Sequence, residues 1–105
     1  MKEPLVDKMD QAGALTAERG RVYGHPQEDF ERVAAMTAPL AGCQDIVLRH
    51  VLYMIIVKIC RLIVTPTHED SWLDIVGYAR TAAMVLDRRN AQVKRPPHRP
   101  EDLHA

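Results

Sequence analysis

The sequence predicts an all-α domain, a compact bundle of about four helices around one central apolar helix over residues 45–64. Three observations carry this. Apolar residues recur at helical spacing in four separate windows. Alternating apolar and polar runs of β-branched residues, which mark strands, are few. Aromatics make up only 5% of the 105 residues, so the core must come from Leu, Ile, Val, Met and Ala. A chain of this length makes one domain and buries roughly two-thirds of the surface its unfolded form exposes. The expected domain is 1–93, followed by a flexible tail over 94–105 that is rich in Pro and Arg.

The elements follow in order. A first helix is expected from Pro4 to Arg19, with Leu5, Met9, Ala12 and Thr16 on one face and Gly20 as a stop. Residues 21–25 read as a loop. Pro26 suits the first turn of a second helix, where a missing N–H costs nothing. Gln27, Glu28 and Asp29 follow, and acids there oppose the positive helix end. Phe30, Val33, Ala34 and Thr37 are its expected buried stripe; it ends before Pro39.

The third helix, Asp45 to Val64, is apolar almost all round, so other helices should surround it. Its exceptions, His50, Met54, Lys58 and Arg61, gather into one stripe. Thr65-Pro66-Thr67 breaks the chain, because a residue before proline avoids the helical region. Thr67 with Asp70 resembles a capping box. A fourth helix runs from about His68 to Asn90, with Trp72, Ile75, Val76, Ala79, Ala82, Ala83 and Leu86 as its apolar face. Asp70, Asp74, Gly77 and Thr81 lie opposite.

Composition narrows the function classes. The formal net charge is zero, which speaks against a dedicated nucleic-acid or membrane-surface protein. The longest apolar stretch, Val51 to Val57, is far short of the roughly 20 residues of a membrane span. The charged start lacks the apolar core of a signal peptide. Cys43 and Cys60 have no metal-ligand spacing and read as free thiols, which fits a cytoplasmic protein. The third helix is too apolar for four short helices to cover, so a homo-oligomer is expected.

Charged residues mark the candidate site. Lys58 and Arg61 stand in the most apolar helix, where long cations need a partner. They form either a structural ion pair with a neighbouring acid or a phosphate clamp, Arg giving a two-pronged fork and Lys a point charge. Asp70 and Asp74, four apart, share a helix face and could hold Mg²⁺; Asp70 is equally an ordinary first-turn acid. The short turn after Val64 lets the two pairs meet. Glu28 and Glu31 have ExxE spacing, and Asp29, nearer the buried stripe, is the better metal ligand of the three. His25 and His68 stand at helix starts, as caps, general bases or phosphate contacts. Tyr23, Tyr78 and Trp72 could stack on a base, although Trp72 falls on the apolar face, where it would pack in the core.

Three runs together resemble a known family: ERGRVYGHPQEDF at 18–30, VKICRL at 57–62 and PTHEDSWLDIVGYA at 66–79. They are similar to a family of small phage and prophage proteins of unknown function with YGxP, KxxRL and HxDSWxDIxGYA motifs. That family is distantly similar to all-α nucleoside triphosphate pyrophosphohydrolases of the MazG type, whose four acids hold Mg²⁺. The resemblance implies Glu28 and Glu31 as one acid pair and Asp70 and Asp74 as the other, with His68 or a carboxylate activating a water. It departs from that pattern in two ways: the second pair is spaced by four rather than three, and a whole apolar helix separates the pairs. The expectation is a protein of the cytoplasm, the host's for a phage-encoded chain, that binds a nucleotide or phosphorylated ligand, with Mg-dependent hydrolysis as its enzymatic form. The alternative is a non-catalytic phage accessory protein that binds a host protein or sequesters a nucleotide signal.

Overall fold

The computed structural model describes residues 3–10 and 21–94. Among the described residues the longer elements follow in the order α1 (Leu5–Asp10), α2 (Pro26–Thr37), the 3-10 segment Ala38–Gly42, α3 (Ile46–Val64) and α4 (Glu69–Lys94). No strand occurs among the described residues, as the all-α expectation requires. The end of the first expected helix and the tail beyond Lys94 lie outside the described residues.

Residues 21–23 are helical, so the expected loop shrinks to Gly24 and His25. Gly24 has φ of 79°, a left-handed conformation that side-chain-bearing residues resist. His25 then caps α2: its Nδ1 accepts from the Gln27 N–H at 3.1 Å, satisfying one of the free donors of the first turn. Asp45 does the same for α3, its Oδ1 accepting from Val47 and Leu48 N–H at 3.2 and 3.1 Å. The residue before α4 is His68, and α4 starts at Glu69. That moves the start one residue past the expected Thr67 cap. At its other end α4 reaches Lys94, because nothing before the prolines stops it.

α3 lies at the centre. α2 and α4 each pack on it, while α2 and α4 do not contact one another among the described elements. The contact with α2 is small and tight: Cys60 is fully buried, its thiol 3.5 Å from Met36 Sδ. The contact with α4 is the larger one, and an ion pair clasps it toward each end. Arg89 grips Asp45 through both guanidinium nitrogens at the start of α3. Lys58 Nζ meets Asp74 Oδ2 at 2.7 Å near the turn. The turn is tied back by Thr65 Oγ1, which donates to Val22 O at 2.9 Å, and by Trp72 Nε1, which donates to Pro66 O at 2.8 Å.

Two expected stripes are displaced. On α2 the inward residues are Asp29 and Val33, at 7% and 8% exposure, with half-buried Met36, while Phe30 stands 67% exposed and Ala34 is exposed. The helix is thus turned by about one residue, or ~100°, from the all-apolar stripe. On α4 the residues against α3 are Ser71, Ile75, Tyr78, Ala82, Val85 and Arg89, buried or half-buried. Trp72, expected in the core, is 55% exposed, and Val76, Ala79, Ala83 and Leu86 are exposed with it. In this rotation Asp74 and Arg89 both reach α3, where they meet Lys58 and Asp45.

Candidate anion site

The expected meeting of the two charged pairs happens in part. The turn at 65–67 folds α4 back along α3, which brings Asp74 to Lys58, whose side chain keeps only 12% of its surface in solvent. The hydrogen bond from Lys58 holds the Asp74 carboxyl below its ordinary value; burial opposes it as the next-largest effect, and the charges of Lys58, Arg61 and His68 each lower it further. Asp70 is exposed and takes no part in an ion pair among the described residues.

Arg61 is placed differently. Its guanidinium carbon lies 4.0 Å from the centroid of the Tyr23 ring, a stacking distance for a cation on an aromatic face. Its Nε is buried and has no hydrogen-bond partner, and it makes no salt bridge among the described residues. A buried donor without an acceptor costs about 1–3 kcal/mol, more when charged. Lys58, Arg61 and Asp74 together leave one positive charge, aimed beside the Tyr23 ring. His68 stands by, its Nδ1 sharing a 2.7 Å hydrogen bond with the buried Ser71 Oγ.

The remaining expected residues scatter. His25 is occupied as a helix cap. Tyr78 is half-buried in the α3–α4 contact. Glu28 is exposed, and Glu31 accepts from Gln27 Nε2 at 3.2 Å on the outside of α2. Asp29 is buried between α2 and α3, 4.0 Å from Arg32, with its Oδ1 and the Arg32 Nη1 both lacking hydrogen bonds. Among the described residues, no three His, Cys, Asp or Glu side chains come together as a metal site. Asp74 is committed to Lys58, and Asp29 is across α3 from it. The acid set Glu28, Glu31, Asp29, Asp70 and Asp74 therefore does not fit one Mg²⁺ ion as arranged here.

A groove of about 430 Å³ opens elsewhere, between the 3-10 segment and the first turns of α3, lined by Thr37, Leu40, Ile46, Arg49, His50 and Tyr53. His50 belongs to this end of α3. Sequence reading grouped it with Lys58 and Arg61, but two turns of helix separate them. The Asp45–Arg89 clasp went unnoticed in the sequence. Asp45 just before an apolar helix is an N-cap signal, but nothing in the sequence marks its pairing with Arg89.

No helix among the described residues is long and apolar enough to cross a membrane. No solved structure matches the chain. Among curated proteins, the Gene 55 protein of Mycobacterium phage D29 is 30% identical over 79 residues, covering 75% of this chain. The chain spans about half, 51%, of that relative's length. Residues 8–86, which include Tyr23, Lys58, Arg61, His68 and Asp74, match a family described only as a domain of unknown function, DUF6378. The chain that builds this cationic corner belongs to the DUF6378 family.

Proposed function

We propose that the chain binds a phosphate-bearing small ligand of the nucleotide class at the Tyr23–Lys58–Arg61 corner and holds it without hydrolysing it. The observation that supports this most is Arg61, stacked on Tyr23 with a buried Nε that finds no acceptor. A guanidinium pre-oriented in this way offers parallel donors to two phosphate oxygens. Lys58 adds a point charge, and the Asp74 carboxylate holds its ammonium in place. A base could meet the Tyr23 ring edge-to-face, since Arg61 covers one of its faces. The setting of this role is the cytoplasm of a phage host. Binding without turnover is preferred to the Mg-dependent pyrophosphohydrolase reading because, among the described residues, no three acids come together.

A thermal-shift titration with ATP and with inorganic pyrophosphate, with and without Mg²⁺, tests the reading. A ligand at a hundredfold excess over its Kd stabilises the folded state by about 2.7 kcal/mol, on the order of a 10 °C rise for a domain of this size. The wild type should show the rise, and folded Arg61→Ala should lose it. An equal rise in Arg61→Ala removes the site from consideration. Phosphate release above background in the Mg²⁺ arm replaces holding with hydrolysis.

A further inference from the structure

The apolar side chains displaced from the expected core are not scattered. On α3, Leu52, Ile56, Ile59 and Ile63 recur at spacings of four, three and four, with Leu52 and Ile63 exposed and the two between half-buried. On α4, Trp72, Val76, Ala79, Ala83 and Leu86 repeat the same spacing and are all exposed. Each stripe lies about 100° round its helix from the edge that meets the other, counting 100° per residue. The helices run antiparallel, as the Lys58–Asp74 and Asp45–Arg89 clasps require. The same sense of rotation then carries both stripes to one side of the hairpin, opposite the side that carries Lys58, Arg61 and Asp74.

We infer that this face is an interface between two copies of the chain, stacked so that two hairpins close into a four-helix layer pair. Several observations favour a second copy as the occupant. The buried apolar residues among those described are Val33, Cys60 and Leu62. Full burial of such a side chain is worth about 1.5–3 kcal/mol, while ordering one residue's backbone costs about 1–2 kcal/mol, so one copy is thinly held. Leu52, Ile63, Trp72, Val76 and Leu86 are each between 42% and 66% exposed, which places this face with the largest apolar patches of monomers, roughly 300–600 Å², and near the roughly 800 Å² per partner of a standard interface. No charged residue stands in either stripe, and the formal net charge of zero puts no long-range repulsion between copies. Ala79 and Ala83 at the middle of α4 let a facing helix approach closely, and the 4–3–4 spacing is the seam that antiparallel bundles use.

Sedimentation equilibrium of the full chain, with Trp72 fluorescence followed on dilution, tests this. Trp72 is the single tryptophan, so its emission reports the face directly. The expected result is a species of twice the 11.9 kDa chain mass, with emission that shifts to the red as dilution dissociates it. Val76→Glu, at a position 66% exposed in one copy, should give the single-chain mass and red-shifted emission; Glu28→Gln on the far side of α2 should leave the dimer intact. A wild-type chain that sediments as one copy at high concentration overturns the inference, including the case where Trp72 is shielded by the chain's own first residues. A dimer of unchanged strength in Val76→Glu overturns this face as the interface, even if α-helical content by circular dichroism is retained.

Discussion

Cys43 and Cys60 are both thiols with no metal spacing, but one lies in a connection and the other inside an apolar helix, and the fold treats them differently. Cys60 is fully buried against Met36, and burial, reinforced by the nearby Asp29 charge and opposed by Arg32, pushes its thiol pKa up. Cys43 is half-buried in a connection. A thiol reacts as its thiolate, so raised pKa and burial both protect it. A thiol-reactive reagent at neutral pH should therefore modify one group per folded chain and two per chain in denaturant; two fast thiols in the folded state contradict the packing of Cys60. The burial of Cys60 was legible because it interrupts an apolar helix without breaking its pattern. Phe30 and Trp72 were not legible as exposed residues. Periodicity names an apolar side of a helix, but not whether a neighbour exists to cover it, and a charged residue such as Asp29 can turn inward when Arg32 stands one turn away. The meeting of Lys58 with Asp74 was legible, because a three-residue turn leaves the helices nowhere else to go. Arg61 finding an aromatic ring rather than a second acid was not, since Tyr23 lies 38 residues upstream, in a segment read as loop.

At the scale of elements, helix existence and order were fixed by local chemistry: Pro26 at a helix start, Asp45 before an apolar run, Pro66 after one. The boundaries moved by a few residues where no strong stop exists, as at the far end of α4. Two ion pairs join α3 to α4, and their carboxylates give the fold an acid limb. The Arg89 hydrogen bonds, then those from the Leu48 and Val47 backbone, hold Asp45 at about 2 against an ordinary 3.8, and Asp74 is lowered by Lys58 in the same sense. A carboxylate with a depressed folded pKa binds fewer protons folded than unfolded, so it stabilises the fold above its unfolded pKa and that contribution disappears as pH falls toward the folded value. Denaturant midpoints should therefore be flat from pH 7 to about 5 and fall steeply between about 4 and 2. Asp45→Asn should lower the midpoint at pH 7 and flatten this acid limb, since the titrating group is gone. An acid limb of undiminished depth in Asp45→Asn would show that other carboxylates carry it.

For the whole molecule, α3 divides the chain's two surfaces. One side of the α3–α4 hairpin carries Lys58, Arg61, Asp74 and His68 beside Tyr23; the other carries an uncharged apolar stripe. A second copy on the apolar side would leave the cationic corner open, so the proposed assembly and the proposed ligand binding would not compete. The fold class and the central place of residues 45–64 were legible because an all-round apolar helix has to be central. The division into two unlike faces was not, since it depends on how two helices rotate against each other. The account turns on Arg61 serving an anion rather than the fold. The direct measurement is calorimetric titration of inorganic pyrophosphate into the wild type and into Arg61→Lys, which keeps the charge and loses the planar fork. The account predicts saturable binding at one site per chain, weakened by about tenfold or more in Arg61→Lys because an ammonium cannot reproduce bidentate geometry. Equal affinity in the two proteins, or no binding to the folded wild type, would contradict it.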